Sequence, residues 1–400
     1  MPNVKPRDIK PFARIKVIGI GGSGKNAVNH MMSKKIDGVE YICMNTDVQD
    51  LHNAKSEMKV HLGRNLTKGR GSGMNPDIGR QSAEETKAEI QEALKGADMI
   101  FIAGGMGGGT CTGASPVVAR LAKEEGVLTV GVVTRPFFFE GHQRLQVADQ
   151  GIKELEKEVD ALVVIPNDRL LAITGEDTSF REAFAMCDDV LLQAVKGISE
   201  LITKQGMINI DYADIQTILA DAGTAFMGIG VATGQNRAHE AALAAINSPL
   251  LDIAIDGAKG VLFAISGGED LKMQEVHQAA KIITESIDPH AKVIFGAIED
   301  DTLKKGELKV TVIATGFSGA TIKKKETPLV STISSPRKDK DSDNLEESTS
   351  IPFSTITSKD SNKFDEDFSD DNIDDKSIDT LEDSDEDWSA IPAFLRRSKK

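Results

Sequence analysis

Residues 98–113 read DMIFIAGGMGGGTCTG, an apolar run of strand length that breaks into a loop with six glycines in ten residues and continues as the helix-like ASPVVARLAKEE. Consecutive glycines leave backbone N–H groups free to wrap a polyphosphate, and the start of the following helix turns the positive end of its dipole toward it. Thr110 and Thr112 add hydroxyl donors. A second glycine loop lies upstream in residues 15–30, IKVIGIGGSGKNAVNH, and it spells two motifs at once. Gly19, Gly21 and Gly24 make the G-x-G-x-x-G dinucleotide fingerprint, whereas Gly19, Gly24 and Lys25 make most of a P-loop. The P-loop lacks its Ser or Thr where Asn26 stands, and the acidic candidate of the dinucleotide reading, Asp47, falls just past the second apolar run. A single loop serves a pyrophosphate; two on one sheet edge predict a nucleoside triphosphate gripped from both sides.

Outward from these loops, short apolar runs at residues 15–20, 39–45, 99–103, 127–133 and 161–165 alternate with amphipathic stretches of helix length. That alternation predicts parallel strands joined by right-handed helical crossovers, with ligands at the carboxyl ends of the strands. Residues 179–203 carry Phe180, Phe184, Val190, Leu191, Val195, Ile198 and Ile202 at helical spacing, which predicts one long connecting helix. Beyond it, strand-like runs at 226–232, 261–266, 293–298 and 310–315 enclose helix-like 236–247 and 270–287, a smaller α/β unit.

The net charge of −15 sits mainly in one place, because residues 341–387 hold 18 Asp and Glu against 3 Lys. From about Thr321 the chain is polar and aperiodic, and such a segment buries too little surface to offset its ordering entropy. Its far end, WSAIPAFLRRSKK, gathers Trp388, Ile391, Phe394 and Leu395 beside Arg396 and Arg397 and reads as a docking peptide that orders on a partner. Nothing in the sequence resembles a basic face for nucleic acid, whose phosphates demand clustered Lys and Arg. Apolar runs stay short of the ~18 residues that cross a bilayer, and residues 1–10 lack the apolar centre of a signal peptide. Cys43, Cys111 and Cys187 have neither zinc-site spacing nor disulfide density. Reduced thiols and a cytoplasmic chain without membrane insertion are the expectation.

Taken in chain order, GIGGSGKNAVN, NTD, GGMGGGTCTG, VTRPFFFEGHQR and NIDYAD resemble FtsZ, the family of tubulin-like GTPases of bacterial cell division, over residues 12–318, and IPAFLRR is similar to the family's partner-binding end. The resemblance implies a Rossmann-like parallel-sheet GTPase domain at 12–178, a central helix and connection at 179–208, and a smaller α/β C-terminal domain at 209–318. A disordered acidic linker at 319–387 and a partner-binding peptide at 388–400, through Ile391, Pro392, Phe394, Leu395, Arg396 and Arg397, complete the chain. It assigns Gly22, Ser23, Gly24, Lys25 and Asn26 to the first nucleotide loop, joined by Asn45. Gly107, Gly108, Gly109, Thr110, Cys111, Thr112 and Gly113 form the phosphate loop. Gly71, Ser72, Gly73 and Asn75 sense the terminal phosphate, and Glu140 and Arg144 hold the ribose and phosphate side. Phe184 stacks on the base and Asp188 pairs with it; a carboxylate that accepts from ring and exocyclic N–H donors favours guanine over adenine. GTP and GDP are thus the expected ligands, with Mg²⁺ beside them. Without the family, Glu140 and Arg144 read as an i,i+4 surface pair, and Phe184 reads as core.

Hydrolysis needs a group that orients water at the terminal phosphate. Asn209, Asp211 and Asp214 follow the long helix, and by themselves they also read as helix caps. A helix of about 25 residues spans nearly 40 Å, too far for them to reach a nucleotide in the same molecule. The resemblance resolves this by head-to-tail assembly, in which this loop of one subunit closes over the nucleotide of the next, in a ring at mid-cell tethered by division proteins that bind the tail. Cys111 and Lys25 depart from the family pattern, and Cys111 and Cys187 close to the nucleotide would make turnover sensitive to thiol oxidation. The rival readings are an NAD-dependent oxidoreductase and a filament protein that binds nucleotide without hydrolysing it.

Overall fold

The computed structural model describes residues 13–317, apart from 37, 172–177, 205, 249–254 and 301–302. The acidic linker and the Ile391–Arg397 peptide lie outside the described residues. Ten strands form one sheet: β1 (Ile15–Ile20), β2 (Val39–Asn45), β3 (Met58–His61), β4 (Met99–Gly105), β5 (Leu128–Arg135), β6 (Ala161–Pro166), β7 (Gly223–Thr233), β8 (Gly260–Gly267), β9 (Lys292–Glu299) and β10 (Glu307–Thr315). Their order is β3-β2-β1-β4-β5-β6-β7-β10-β8-β9. From β3 to β7 every neighbour is parallel, and β10 then runs antiparallel between β7 and β8. The four-residue strand β3 has no counterpart among the sequence-predicted runs, because MKVH is too short and too polar to show a period.

The chain reverses its direction of travel across the sheet between β1 and β4, which are direct neighbours with Ile15 opposite Met99. A crevice opens outside the carboxyl ends at such a point, and both glycine loops leave from it. Each face of the sheet is covered by helices. Gly21–Lys34 and the 24-residue helix Phe180–Thr203 share one apolar core through Val28, Met31, Leu191, Val195 and Ile198. Thr110–Glu124 and its neighbours cover the other face through Ala114, Val117, Val118 and Leu121. Ser179 caps the long helix by accepting from the Glu182 backbone N–H while Glu182 reaches back to the Ser179 N–H, a capping box that fixes where the helix starts.

In the C-terminal part, the helices Arg237–Ile246 and Met273–Glu285 pack on β7, β8 and β10 around Phe263, Ile265 and Val310. Arg237 is buried, and its guanidinium donates to both Glu275 carboxylate oxygens at 2.7 and 2.8 Å and to Asp270 Oδ2 at 2.7 Å. Those hydrogen bonds hold both carboxyls below their usual range. Arg237 is the buried member of this cluster and the shared partner of two partly exposed carboxylates, so Arg237→Ala is expected to lower stability in denaturant unfolding. Arg237→Lys recovers only part of that loss, because an ammonium cannot engage a carboxylate bidentately.

Candidate functional site

The first glycine loop is a strand-to-helix turn with no spare residue: β1 ends at Ile20, the helix starts at Gly21, and Ile20 provides no side-chain cap. The first N–H groups of that helix therefore remain open to a ligand. Glycine at 24 is required by packing, since a Cβ there would stand 2.6 Å from the Ala103 carbonyl oxygen and 2.8 Å from Gly19 C. The same absence of side chain lets the first loop lie against β4, the strand that launches the second loop.

The second loop follows the same plan. β4 ends at Gly105, Gly107 turns at a φ of +92°, and the helix Thr110–Glu124 opens after Gly109, again without a side-chain cap. Thr112 is buried, and its hydroxyl accepts the Gly107 N–H at 2.9 Å, so it braces the loop from inside. Thr110 joins three segments: its Oγ1 lies 2.6 Å from Thr46 Oγ1 and 3.0 Å from Ser72 Oγ. Gly71, Gly73 and Met74 all adopt positive φ, and Asn75 ends this third loop by capping the helix Pro76–Glu85 through the Asp77 N–H.

Across the crevice, Glu140 and Arg144 pair at 3.2 Å with both side chains largely buried. Glu140 also accepts the Phe137 N–H at 2.9 Å. The pair is enclosed, which an exposed surface pair would not be. Phe184 lies edge-on to buried Phe137 at 5.3 Å and 4.8 Å from Phe180, while Phe139 stacks on Phe137 at 5.0 Å. One turn beyond Phe184, burial pushes the Asp188 carboxyl up to about 7, and Lys25 draws it back down. A carboxylate in that position lacks partners for its two oxygens, which is the condition a pair of N–H donors relieves.

Two expectations are corrected. Cys111 lies inside a regular helix and is not among the positive-φ residues, so its Cβ is accommodated; its Sγ packs 3.4 Å from Ser115 Oγ. Burial pushes the Cys111 thiol up to about 11 and that of Cys187 up to about 12. Thiols so enclosed and so reluctant to ionise are poor targets for oxidation, which argues against the expected redox sensitivity. Asp47, the acid of the dinucleotide reading, is spent on capping the short helix Val48–His52 through the Gln49 and Asp50 N–H groups.

Sequence reasoning missed Thr46, Phe137, Phe139 and Asp50. The last accepts from Lys25 Nζ at 2.7 Å and from Asn45 Nδ2 at 2.8 Å. A buried lysine next to a glycine loop is the signal that could have called for such an acid. Asn209, Asp211 and Asp214 stand together at the other end of the long helix, all exposed. Asn209 Oδ1 accepts the Gly206 N–H at 2.7 Å, and Asp211 Oδ1 accepts the Asp214 N–H at 2.9 Å. Among the described residues, no three His, Cys, Asp or Glu side chains gather as a metal site.

Two glycine loops opening into uncapped helices at a sheet crevice, an aromatic wall, and a long helix leading to a second α/β unit are the arrangement of a tubulin-like GTPase. Residues 14–175 match the Tubulin/FtsZ family, GTPase domain, and residues 223–318 match the FtsZ family, C-terminal domain. The FtsZ dimer of M. jannaschii is 41% identical, with a TM-score of 0.74 over 80% of this chain and 95% of that one. CetZ1 of Haloferax volcanii, a GDP-bound monomer, superposes at 0.67 with 21% identity over 76% of this chain and 95% of that one. CetZ2 of the same organism, a GTPγS-bound protofilament, superposes at 0.63 with 22% identity over 76% and 94%. The chain belongs to the FtsZ family and is a GTPase, and the NAD-dependent alternative has no support.

The Asp188 carboxyl sets a pH test. Its folded value of about 7 lies above its ordinary 3.8, so this group's contribution to stability is complete below the ordinary value and is lost as pH rises through the folded one. Without nucleotide, the wild type is therefore expected to lose stability relative to Asp188→Asn between about pH 4 and 7, measured by urea unfolding of the two proteins side by side.

Proposed function

We propose that this chain assembles head to tail into filaments, hydrolyses GTP only where two subunits meet, and builds the ring that divides a bacterial cell. One observation carries the reading: the acidic loop follows the far end of the 24-residue helix whose early turns carry Phe184 and Asp188, roughly 22 to 29 Å from them at 1.5 Å per residue. No side chain bridges that distance, so Asn209, Asp211 and Asp214 serve a nucleotide held by another copy. An interface between unlike surfaces that does not close on itself produces an open filament. The M. jannaschii dimer and the CetZ2 protofilament, both of related fold, support self-association.

In this reading the first glycine loop, Asn45, and the Gly107–Gly113 loop hold the phosphates, while Gly71, Ser72, Gly73 and Asn75 face the terminal one. Glu140 and Arg144 hold the ribose side, Phe184 takes the base face and Asp188 accepts from its N–H edge. In the same reading the GTP-binding domain spans 12–178, the connecting helix 179–208 and the activating domain 209–318. Mg²⁺ would be held chiefly by the nucleotide phosphates, as this cation commonly is. In the second subunit, Asp211 and Asp214 orient and deprotonate the attacking water; their present service as caps fixes the loop that presents them. Ile391, Pro392, Phe394, Leu395, Arg396 and Arg397 recruit membrane-tethering and regulatory partners, and the protein works in the cytoplasm at mid-cell.

Asp211→Ala and Asp214→Ala are expected to bind GTP normally and to lose about 100-fold or more in turnover. Mixed with wild type, they should depress its phosphate release more than their share of the mixture. Normal hydrolysis by dilute variants would defeat the shared site. Deleting residues 388–400 should leave GTP-dependent light scattering intact and abolish co-sedimentation with a tail-binding partner; loss of scattering would show that the tail belongs to the polymer contact.

A further inference from the structure

Lys25 is the residue that makes the first loop spell a P-loop, yet its ammonium is held by a carboxylate of the protein itself. It is buried, with its Nζ 2.7 Å from Asp50 Oδ1, and the two side chains are 6% and 12% exposed. The second oxygen of the same carboxylate accepts from Asn45 Nδ2 at 2.8 Å and lies 3.5 Å from where a Cβ on Gly22 would be. One carboxylate therefore fastens together the helix that carries the first glycine loop, the carboxyl end of β2 and the short helix that follows it. An ion pair this well enclosed is costly to desolvate, and a well-packed apolar pair of similar size is commonly as stable. Its presence calls for a role besides holding the fold.

We propose that Lys25 and Asp50 are positioning residues for the nucleotide: the pair pins the first glycine loop to the end of β2, and the Lys25 ammonium supplies the counter-charge that keeps Asp188 a double acceptor for guanine. The proposal rests on Asp188 reading the base. The groups around Asp188 leave this task to Lys25. On its own helix, Cys187 is a neutral thiol with a raised pKa and Asp189 faces His30 of the first helix at 3.4 Å. From the segment after β5, Glu140 and Arg144 neutralise each other at 3.2 Å. Lys25 stands on the helix whose His30 meets Asp189, the neighbour of Asp188, at 3.4 Å, so its ammonium is the cation on this side that draws Asp188 down against its burial, and Asp50 is the anion paired with it. Tied at its tip, Lys25 cannot fold onto Asp188 and occupy the acceptor that guanine requires.

The two halves of the pair act in opposite directions, and this gives the test. GDP affinity would be measured by equilibrium fluorescence with a labelled nucleotide from pH 5.5 to 8.5 for wild type, Asp50→Asn, Lys25→Met and the double variant, with Asp188→Asn as control. The nucleotide's own titration is common to all and cancels in the comparison. Asp50→Asn leaves the ammonium unopposed and should move the midpoint of the affinity curve to lower pH. Lys25→Met should move it to higher pH and weaken binding at pH 7 about tenfold, equivalent to about 1.4 kcal/mol. Should Lys25→Met fail to fold with a carboxylate left unpaired, the double variant takes its place; it removes both charges and should still move the midpoint upward. Shifts in the same direction, or no shift in a folded variant, would overturn the proposal, since loosened packing weakens affinity without separating the two midpoints. If Asp188→Asn binds GDP as tightly as wild type with an unchanged pH profile, it is the reading of Asp188 that fails.

Discussion

The close contact of two parallel strands, β1 and β4, across a break in chain order is the constraint from which the rest of the site follows. β1 passes directly into a helix that starts at Gly21, β4 reaches its helix through the glycine loop 106–109, and neither helix has a side-chain cap on its first N–H groups. Two half-shells of donors are thereby set side by side, pointing the same way, at the one place in the sheet where the chain opens a crevice. Gly24 beneath the Ala103 carbonyl keeps them at backbone contact. A side chain at this position would separate the two shells and leave each able to hold an anion but not one polyphosphate between them.

Around that contact the polar groups divide into those that hold loops and those left for a ligand. Thr112, Asp47, Asn75 and Asp50 are engaged by the protein itself. Thr46, Thr110 and Ser72 meet as a hydroxyl cluster where three loops converge. Such internal engagement fixes the loops before any nucleotide arrives, so less ordering remains to oppose binding. Asp188 is the exception, a carboxyl without a hydrogen-bond partner among the described residues, whose surroundings push its pKa up while Lys25 draws it down.

Much of this was legible in the sequence because strand-to-helix turns at glycine leave a pattern that does not depend on tertiary context. The alternation of apolar runs and helical segments placed β1, β2, β4, β5 and β6 close to their observed bounds, and the capping box at Ser179 and Glu182 marks the start of the long helix. What stayed hidden is set by contacts distant in sequence. The strand β3 is a strand because Met58 to His61 pair with Ile42 to Asn45, not because of its own residues. Lys25 reads as a motif residue until Asp50, twenty-five positions away, is seen to claim it. The thiols look reactive by proximity alone, and only their enclosure shows that they are not.

The junction of β6 with β7 joins two three-dimensional units into one sheet, yet it is a ladder of only three residue pairs: Ala161 with Gly223, Leu162 with Thr224 and Val163 with Ala225. Beside it, the Asp160 carbonyl accepts the Gly223 N–H at 2.9 Å and Thr224 Oγ1 donates to Glu156 at 2.6 Å. Ladders of six pairs join β5 to β6 and eight join β7 to β10, so this seam is the narrowest in the sheet, and the fewest backbone hydrogen bonds have to break there for the sheet to part.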